Sequence, residues 1–558
     1  MKTTINTAFS ELKQYLYNYS EEAINIKINC LNNCSKHKLN SVNQIKEYHN
    51  QLLFLISYAE NEDVLNLAEK EMHRLSISVN QLSKTKQIQL VNSGIVNTET
   101  HGTYSLTLIN WLLNYKPNSV QIHSFGDDGI HPKELLKHFF NEMEFEAISN
   151  DTLSKIKWLQ LVSGLKKSTQ LLNWLVTEII KLPLDIGLKE QLFESLKLYI
   201  RIKTNDFTFS RSFGSIKIKN NFFHTNGILK KFNEVELIHK KLPLPQKLAL
   251  NEKNNILNTA KTALLLLNRE TDPITYGNPE DVLVYNLEHG LTIALFCINP
   301  KLRLPIESYI GFMMFKNGYP MSYGGAWLYG KRSLIGINIF EAFRGGESAF
   351  VFAQLLRTYA QAFGTTQFEV EPYQFGKGNP EGIKSGAFWF YYRFGFRPIN
   401  SDLFKIAEQE FNEISKTKNY RTSFETLKQF TKSNLIVNFK PTEHIIKPAI
   451  ISNYITQLIT KKFNGDRIKA MVFCKLVLKK ELGLNFSKLN ELELIAFNKL
   501  AFFLTLCLEL KKLTNSQKKQ LVKLVFSKSS SEYQYITNFL KFLIQRYFVK
   551  ELLYFKNG

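Results

Sequence analysis

Apolar residues recur at helical spacing along most of this chain and crowd into strand-like runs only in its middle third. In "FSELKQYLYNYSEEAINIKINCLNN", Phe9, Leu12, Tyr15 and Leu16 fall on one helical stripe, followed by Tyr19 and Ile24. "EDVLNLAEKEMHRLSISVNQL" repeats the pattern. In "DDGIHPKELLKHFF", Asp128 is placed to cap a helix that has Pro132 in its first turn. Three more helical segments follow between 151 and 202, without a fixed-period repeat. "FTFSRSFGSIKIKNNFF" alternates enough to predict short strands, and the prolines of "KLPLPQK", 241–247, mark a linker.

Past that linker the texture changes. "LNEKNNILNTAKTALLLLNRE" predicts a helix. Asn278 and Pro279 open a second one that Gly290 closes. The runs "LTIALFCI", "SYIGFMMF", "MSYGGAWLYG" and "SLIGINIF" predict strands, with a hairpin turn at Asn317-Gly318. A glycine turn, a helix from about Ala349 to Phe363, the strand "TQFEVEPY" and the aromatic run "GAFWFYYRFGFRP" complete the region. Helical periodicity then returns to the end of the chain, with Thr422 and Glu425 spaced as a capping box. The organisation predicted is an α+β protein with a helical region over 1–240, a strand-rich domain over 248–400 and a basic helical region over 401–558.

Composition alters this picture little. The 558 residues carry a net charge of +22, which raises the question of a polyanionic partner. The lysines are spread over long amphipathic stretches rather than gathered in one block, so nucleic-acid binding ranks last among the readings. Five scattered cysteines argue against a disulfide framework and for a reducing compartment. Cys30, Cys34 and His37 match no zinc spacing, and neither do His123, Asp127, Asp128, His131 and His138; no metal is expected. The start of the chain shows no apolar stretch of signal-peptide type. The apolar run near residue 500 is broken by Asn498, Lys499 and Glu509 and falls short of a membrane span. The expectation is a cytoplasmic protein; its oligomeric state is not legible.

Chemistry concentrates at "INIFEAFRGGESAFVFAQLLRTYAQAFG". A strand ends near Phe340, Arg344-Gly345-Gly346 turns the chain, and a helix starts near Ser348. Unpaired N–H groups at such a start suit a phosphate, and glycine permits close approach. The same glycines also serve a chain that only needs to turn. With its neighbours this segment resembles the GNAT superfamily of acyl-CoA-dependent N-acyltransferases. Phe343-Arg344-Gly345 and Ala349 match the start and end of that family's phosphate turn. Ala387, Phe390, Tyr391, Gly395 and Phe396 match its second motif in order and spacing. The resemblance covers about residues 250 to 400. There are departures. Glu347 replaces the turn's central glycine, either facing the pyrophosphate or turned away as a helix-start residue favoured by the dipole. Lys384 stands where the family often has Asn, and "QFGKGNPEGIKSG" reads as an added loop.

The resemblance implies a central mixed sheet and transfer of an acyl group from acyl-CoA, or from another donor as in Fem-type aminoacyl transfer, to an unidentified amine. Phe343, Arg344, Gly345, Gly346, Glu347, Ser348 and Ala349 are then the donor-binding residues. Tyr391 takes the place of the tyrosine that protonates the leaving thiolate; its plainer reading is one more ring of a buried helix, with Phe388 and Tyr392. Glu369 and Glu371 alternate to one face of their strand. Glu371 is the better-placed base, and Glu341 is the other. Glu381 and Lys384 are candidates for substrate contact, and Tyr323 to Gly325 for strand packing. A non-catalytic binding or scaffold protein on the same fold is the rival reading.

Overall fold

The computed structural model describes residues 5–149, 153–441, 446–542 and 544–555, with side chains from residue 7 onward. The first four residues of the segment read for a leader lie outside this set. The fold is α+β. Three short strands, β1 (Thr100–Gly102), β2 (Val120–Phe125) and β3 (Leu198–Ile202), form a small antiparallel sheet in the order β1-β3-β2. The eight others, β4 (Leu283–Asn286), β5 (Leu291–Cys297), β6 (Ser308–Lys316), β7 (Tyr319–Tyr329), β8 (Arg332–Ile339), β9 (Gln367–Val370), β10 (Arg397–Pro398) and β11 (Leu435–Asn438), form one sheet in the order β10-β11-β9-β8-β7-β6-β5-β4.

Strands β4 to β8 are a meander. β5 and β6 bury nearly every residue, as strands covered on both faces do. The β6–β7 turn is made by Asn317 (φ 44°) and Gly318 (φ 85°), both left-handed as a two-residue hairpin requires. From β8 the chain passes through the turn at Arg344-Gly345-Gly346 into the helix Ser348–Phe363, and returns as β9, parallel to β8. That pairing is short: Arg332, Ser333 and Leu334 face Gln367, Phe368 and Glu369, while Ile335–Ile339 pair only with β7. The aromatic helix Ala387–Arg393 follows, then β10 and β11 close the far edge.

Among the described residues there are three hydrophobic cores. The largest joins residues 8–96 of the N-terminal helices to the large sheet and its helices. A second fills the small sheet and the helices Leu106–Tyr115, Lys155–Ser163, Ser168–Lys181 and Ile186–Ser195. The third lies among the C-terminal helices.

Four local expectations are corrected. The helix foreseen after Asn278 is a single turn, Pro279–Asp281; "LVYN" then extends as β4, because Leu283 to Asn286 pair with Leu295 to Thr292. The alternating run after Phe207 forms no strand; it is pinned to the β6–β7 turn by isolated bonds, Ile216 N–H to Gly318 O and Phe222 N–H to Asn317 Oδ1. His131, not Asp128, caps Pro132–Leu136, its ring Nδ1 accepting from Lys133 N–H. Ser423, not Thr422, caps Phe424–Phe430. The linker 241–247 has no regular structure, yet it is strapped down: Arg357 donates to the Lys240 and Lys241 carbonyls, and Gln246 N–H to Val284 O.

Candidate functional site

The turn after β8 is built as the sequence suggests, and the N-terminal region packs against it while Arg344 and Gly345 stay exposed. Gly345 has φ +89°, a conformation that glycine tolerates and other residues rarely adopt. Tyr17, from the N-terminal region, donates its hydroxyl to Arg344 O at 3.0 Å. The Tyr58 hydroxyl lies 3.1 Å from where a Cβ on Gly346 would sit. Arg344 itself is exposed and reaches Glu381 of the added loop at 3.7 Å. Phe343 is buried, Ser348 and Ala349 half-buried. Among the described residues no side chain caps the helix Ser348–Phe363, so its first N–H groups keep their pull on an anion.

Glu347 holds the cap position, and its carboxylate turns into the protein. Oε2 accepts from the buried Lys316 ammonium at 2.6 Å, and Oε1 from Leu229 N–H at 2.8 Å. Lys316, the last residue of β6, also donates to His289 O at 2.6 Å and lies 4.3 Å from the Tyr58 ring centroid. Burial pushes the Lys316 ammonium down to about 8, with Glu347 acting the other way. Two imidazoles complete the cluster. His289 sits in the β4–β5 turn at φ 60°, and His224 comes from the irregular segment before the linker. Glu347 is therefore half of a buried ion pair and not a charge aimed outward at an anion. Sequence reasoning found Glu347 but not Lys316, His224 or His289. The β4–β5 and β6–β7 turns that carry two of them were flagged only by their glycines.

Tyr391 lies on the other side of the helix Ser348–Phe363. Its ring packs edge-on against Phe352 at 5.4 Å, as part of a cluster with Phe390, Phe394 and Phe396 around that one phenylalanine. The aromatic run is thus mostly packing. Burial holds the Tyr391 phenol well above its usual range, a neutral donor throughout the physiological pH range. Its partner is Gln374 Oε1, at 3.5 Å. Gln374 fills the gap where β8 and β9 part. It accepts from Ile337 N–H at 3.3 Å, and its Nε2 lies 2.8 Å from where a Cβ on Gly336 would be.

The carboxylates separate. Glu371 is exposed and precedes the turn Pro372–Phe375 without a capping hydrogen bond; Glu341 is exposed and starts the turn Glu341–Phe343. Glu369, expected to share a face with Glu371, is instead buried between Arg332 Nε (2.8 Å), Asn434 Nδ2 (2.6 Å) and Lys447 (3.5 Å). Burial raises its carboxyl pKa, but the Arg332 and Asn434 hydrogen bonds and the two cations outweigh this and hold it below the usual range. The five cysteines are free and buried. His123 stacks on His101 at 4.4 Å.

A cavity of about 1250 Å³ opens between the segment 208–220, the helix Leu250–Leu265 and the sheet, and Phe340 and Phe343 form part of its wall. Arg211, Lys217, Lys219 and Lys247 line it against a single acid, Glu252. Arg211 donates to Ser93 O at 2.9 Å; burial lowers its pKa to about 10, with the Glu341 charge acting the other way. No helix among the described residues is long and apolar enough to cross a membrane. A scan of protein-family models and searches of curated proteins and of solved structures find nothing that matches this chain.

Proposed function

We propose that the region from about 250 to 400 is a GNAT-like N-acyltransferase that moves an acyl group from a CoA thioester to an amine. The observation that carries this reading is the ordered unit of β8, glycine turn, uncapped helix Ser348–Phe363 and parallel β9, with the two strands parting after three residue pairs. The helix start supplies N–H groups for the donor's pyrophosphate, and Arg344 adds an exposed positive charge beside them. Glu347 does not oppose this, because Lys316 neutralises it inside the protein.

Acyl transfer requires a polarised carbonyl, a deprotonated amine and a protonated leaving thiolate. Tyr391 is the acid in this reading, once Gln374 yields the gap to the thioester. Glu341 and Glu371 are the remaining candidates for the base. The basic cavity that reaches Phe340 and Phe343 is the acceptor chamber, which favours an amine that also carries negative charge.

Gln374 favours a second reading. With its amide between β8 and β9, the gap in which a thioester would lie is occupied, as in a non-catalytic protein on the same fold. Nucleic-acid binding through the basic helices has no observation of its own. Acetyl-CoA and longer acyl-CoAs, added in a thermal-shift assay, are expected to raise the melting temperature; the absence of any shift would favour the non-catalytic reading. Once turnover is found, Tyr391→Phe should lower kcat by about 100-fold with little change in donor binding, and an unchanged kcat removes Tyr391 as the acid.

A further inference from the structure

His224, His289 and Glu347 come from three distant stretches of chain and meet at one end of the large sheet. One ligand atom from each lies within 4.8 Å of the other two. Among the described residues this is the one group of three or more histidine, cysteine or acidic side chains so placed. Glu347 is buried, His224 is 1% exposed, and His289 is partly exposed at the rim.

The ring of His224 is oriented by its surroundings. Its Nδ1 lies 3.3 Å from Gly227 O, and only a protonated Nδ1 can make that bond. Nε2 then carries the lone pair, and it is buried without a hydrogen-bond partner. A backbone carbonyl that fixes one ring nitrogen so that the other is bare is the arrangement that serves metal-binding histidines. His289 Nδ1 is also buried without a hydrogen-bond partner, 3.7 Å from Glu347 Oε1. Burial is the largest cause that lowers the pKa of both rings, to about 4 for His224. A buried polar atom without a partner costs stability, and here two of them belong to one cluster with a carboxylate whose Oε1 otherwise takes only Leu229 N–H.

We propose that His224 Nε2, His289 Nδ1 and Glu347 Oε1 bind one divalent cation of the zinc class. Two imidazoles and a carboxylate suit zinc, and three protein ligands leave a position open to water or an anion. Lys316 opposes the ion, since it sits on the other oxygen of the same carboxylate. It therefore limits the affinity, and its removal should raise it. The ion would tie the N-terminal region, through His224, to the β4–β5 turn and to the start of the helix Ser348–Phe363. The proposal does not depend on acyl transfer.

The test is a calorimetric titration of Zn²⁺ into chelator-treated full-length protein, with Co²⁺ absorption as an independent readout. One equivalent should bind, and Co²⁺ should give the intense visible bands of a four-coordinate site. His289→Ala, at a partly exposed position, should weaken binding by at least about 100-fold. Lys316→Met should strengthen it by tenfold or more. A circular dichroism melt of each metal-free variant separates lost binding from lost folding. Should His289→Ala fail to fold, the wild-type Co²⁺ spectrum still decides. No stoichiometric binding, or binding that survives His289→Ala and disappears in His123→Ala at the surface His101–His123 pair, overturns the proposal.

Discussion

Two buried glutamates flank the helix that joins β8 to β9, and they differ in what surrounds them. Glu369, in β9, is saturated: one oxygen takes Arg332 Nε, the other Asn434 Nδ2 with Lys447 beyond. Glu347, at the helix start, takes Lys316 on one oxygen and Leu229 N–H on the other, yet it is bordered by His224 Nε2, His289 Nδ1 and the Tyr58 hydroxyl, all buried and without a hydrogen-bond partner. In the sequence Glu369 stands out as one of two carboxylates alternating along a strand, and Glu347 as a carboxylate inside the glycine turn. The first proves to be a structural clamp. The second is a place where polar capacity exceeds what the protein itself consumes, and such a surplus marks a site.

The comparison can be broken first at the clamp. Glu369→Ala leaves the Arg332 guanidinium buried and unpaired, and arginine cannot shed its charge. A loss of about 3–5 kcal/mol in urea unfolding is expected. A loss below about 1 kcal/mol would mean that the pair is not structural. The deficit should also be flat with pH around neutrality.

Glu347→Gln should behave differently. Its partner is a lysine already pushed to about 8, against 10.5 in the unfolded chain, so the variant can neutralise it. The expected loss in chelator-treated protein is about 2 kcal/mol near pH 7. The sign follows from proton counting. A lysine depressed in the folded state binds fewer protons there than in the unfolded state, so stability rises with pH between the two values. Removal of Glu347 lowers the folded value further and opens that window earlier. The deficit should therefore shrink as pH rises toward about 8 and stay constant above it. A deficit independent of pH would show that Lys316 keeps its charge in the variant.

The smallest effect is expected at the turn. Gly345→Ala places a Cβ at φ +89°, 3.2 Å from the Tyr17 ring and hydroxyl, and should cost about 1 kcal/mol. Tyr17→Phe in the same background should recover nothing if backbone strain dominates, and part of the loss if the steric contact does.

What the sequence disclosed was local. The hairpin at Asn317-Gly318, the helix to Phe363 and the rings around Phe352 depend on neighbours within about fifty residues, and spacing alone carries that information. The helix read after Asn278 failed because pairing with β5 overrode a good helix start. Alternation after Phe207 failed because that segment meets a turn instead of a strand edge. Glu347 was visible as an oddity, yet its meaning lay in Lys316 and in His224, over a hundred residues upstream. No periodicity links such positions.

Asn317 donates through its side-chain amide to Ser57 O at 3.0 Å, across 260 residues of chain. The largest core shares that span: helices within residues 8–96 pack against a sheet whose last strand ends at Asn438. During synthesis at about 5–20 residues per second, the early helices wait on the order of tens of seconds for the surface that covers them. Over that interval their apolar faces are open to chaperones, to one another and to neighbouring nascent chains, so the yield of this protein is set partly by time.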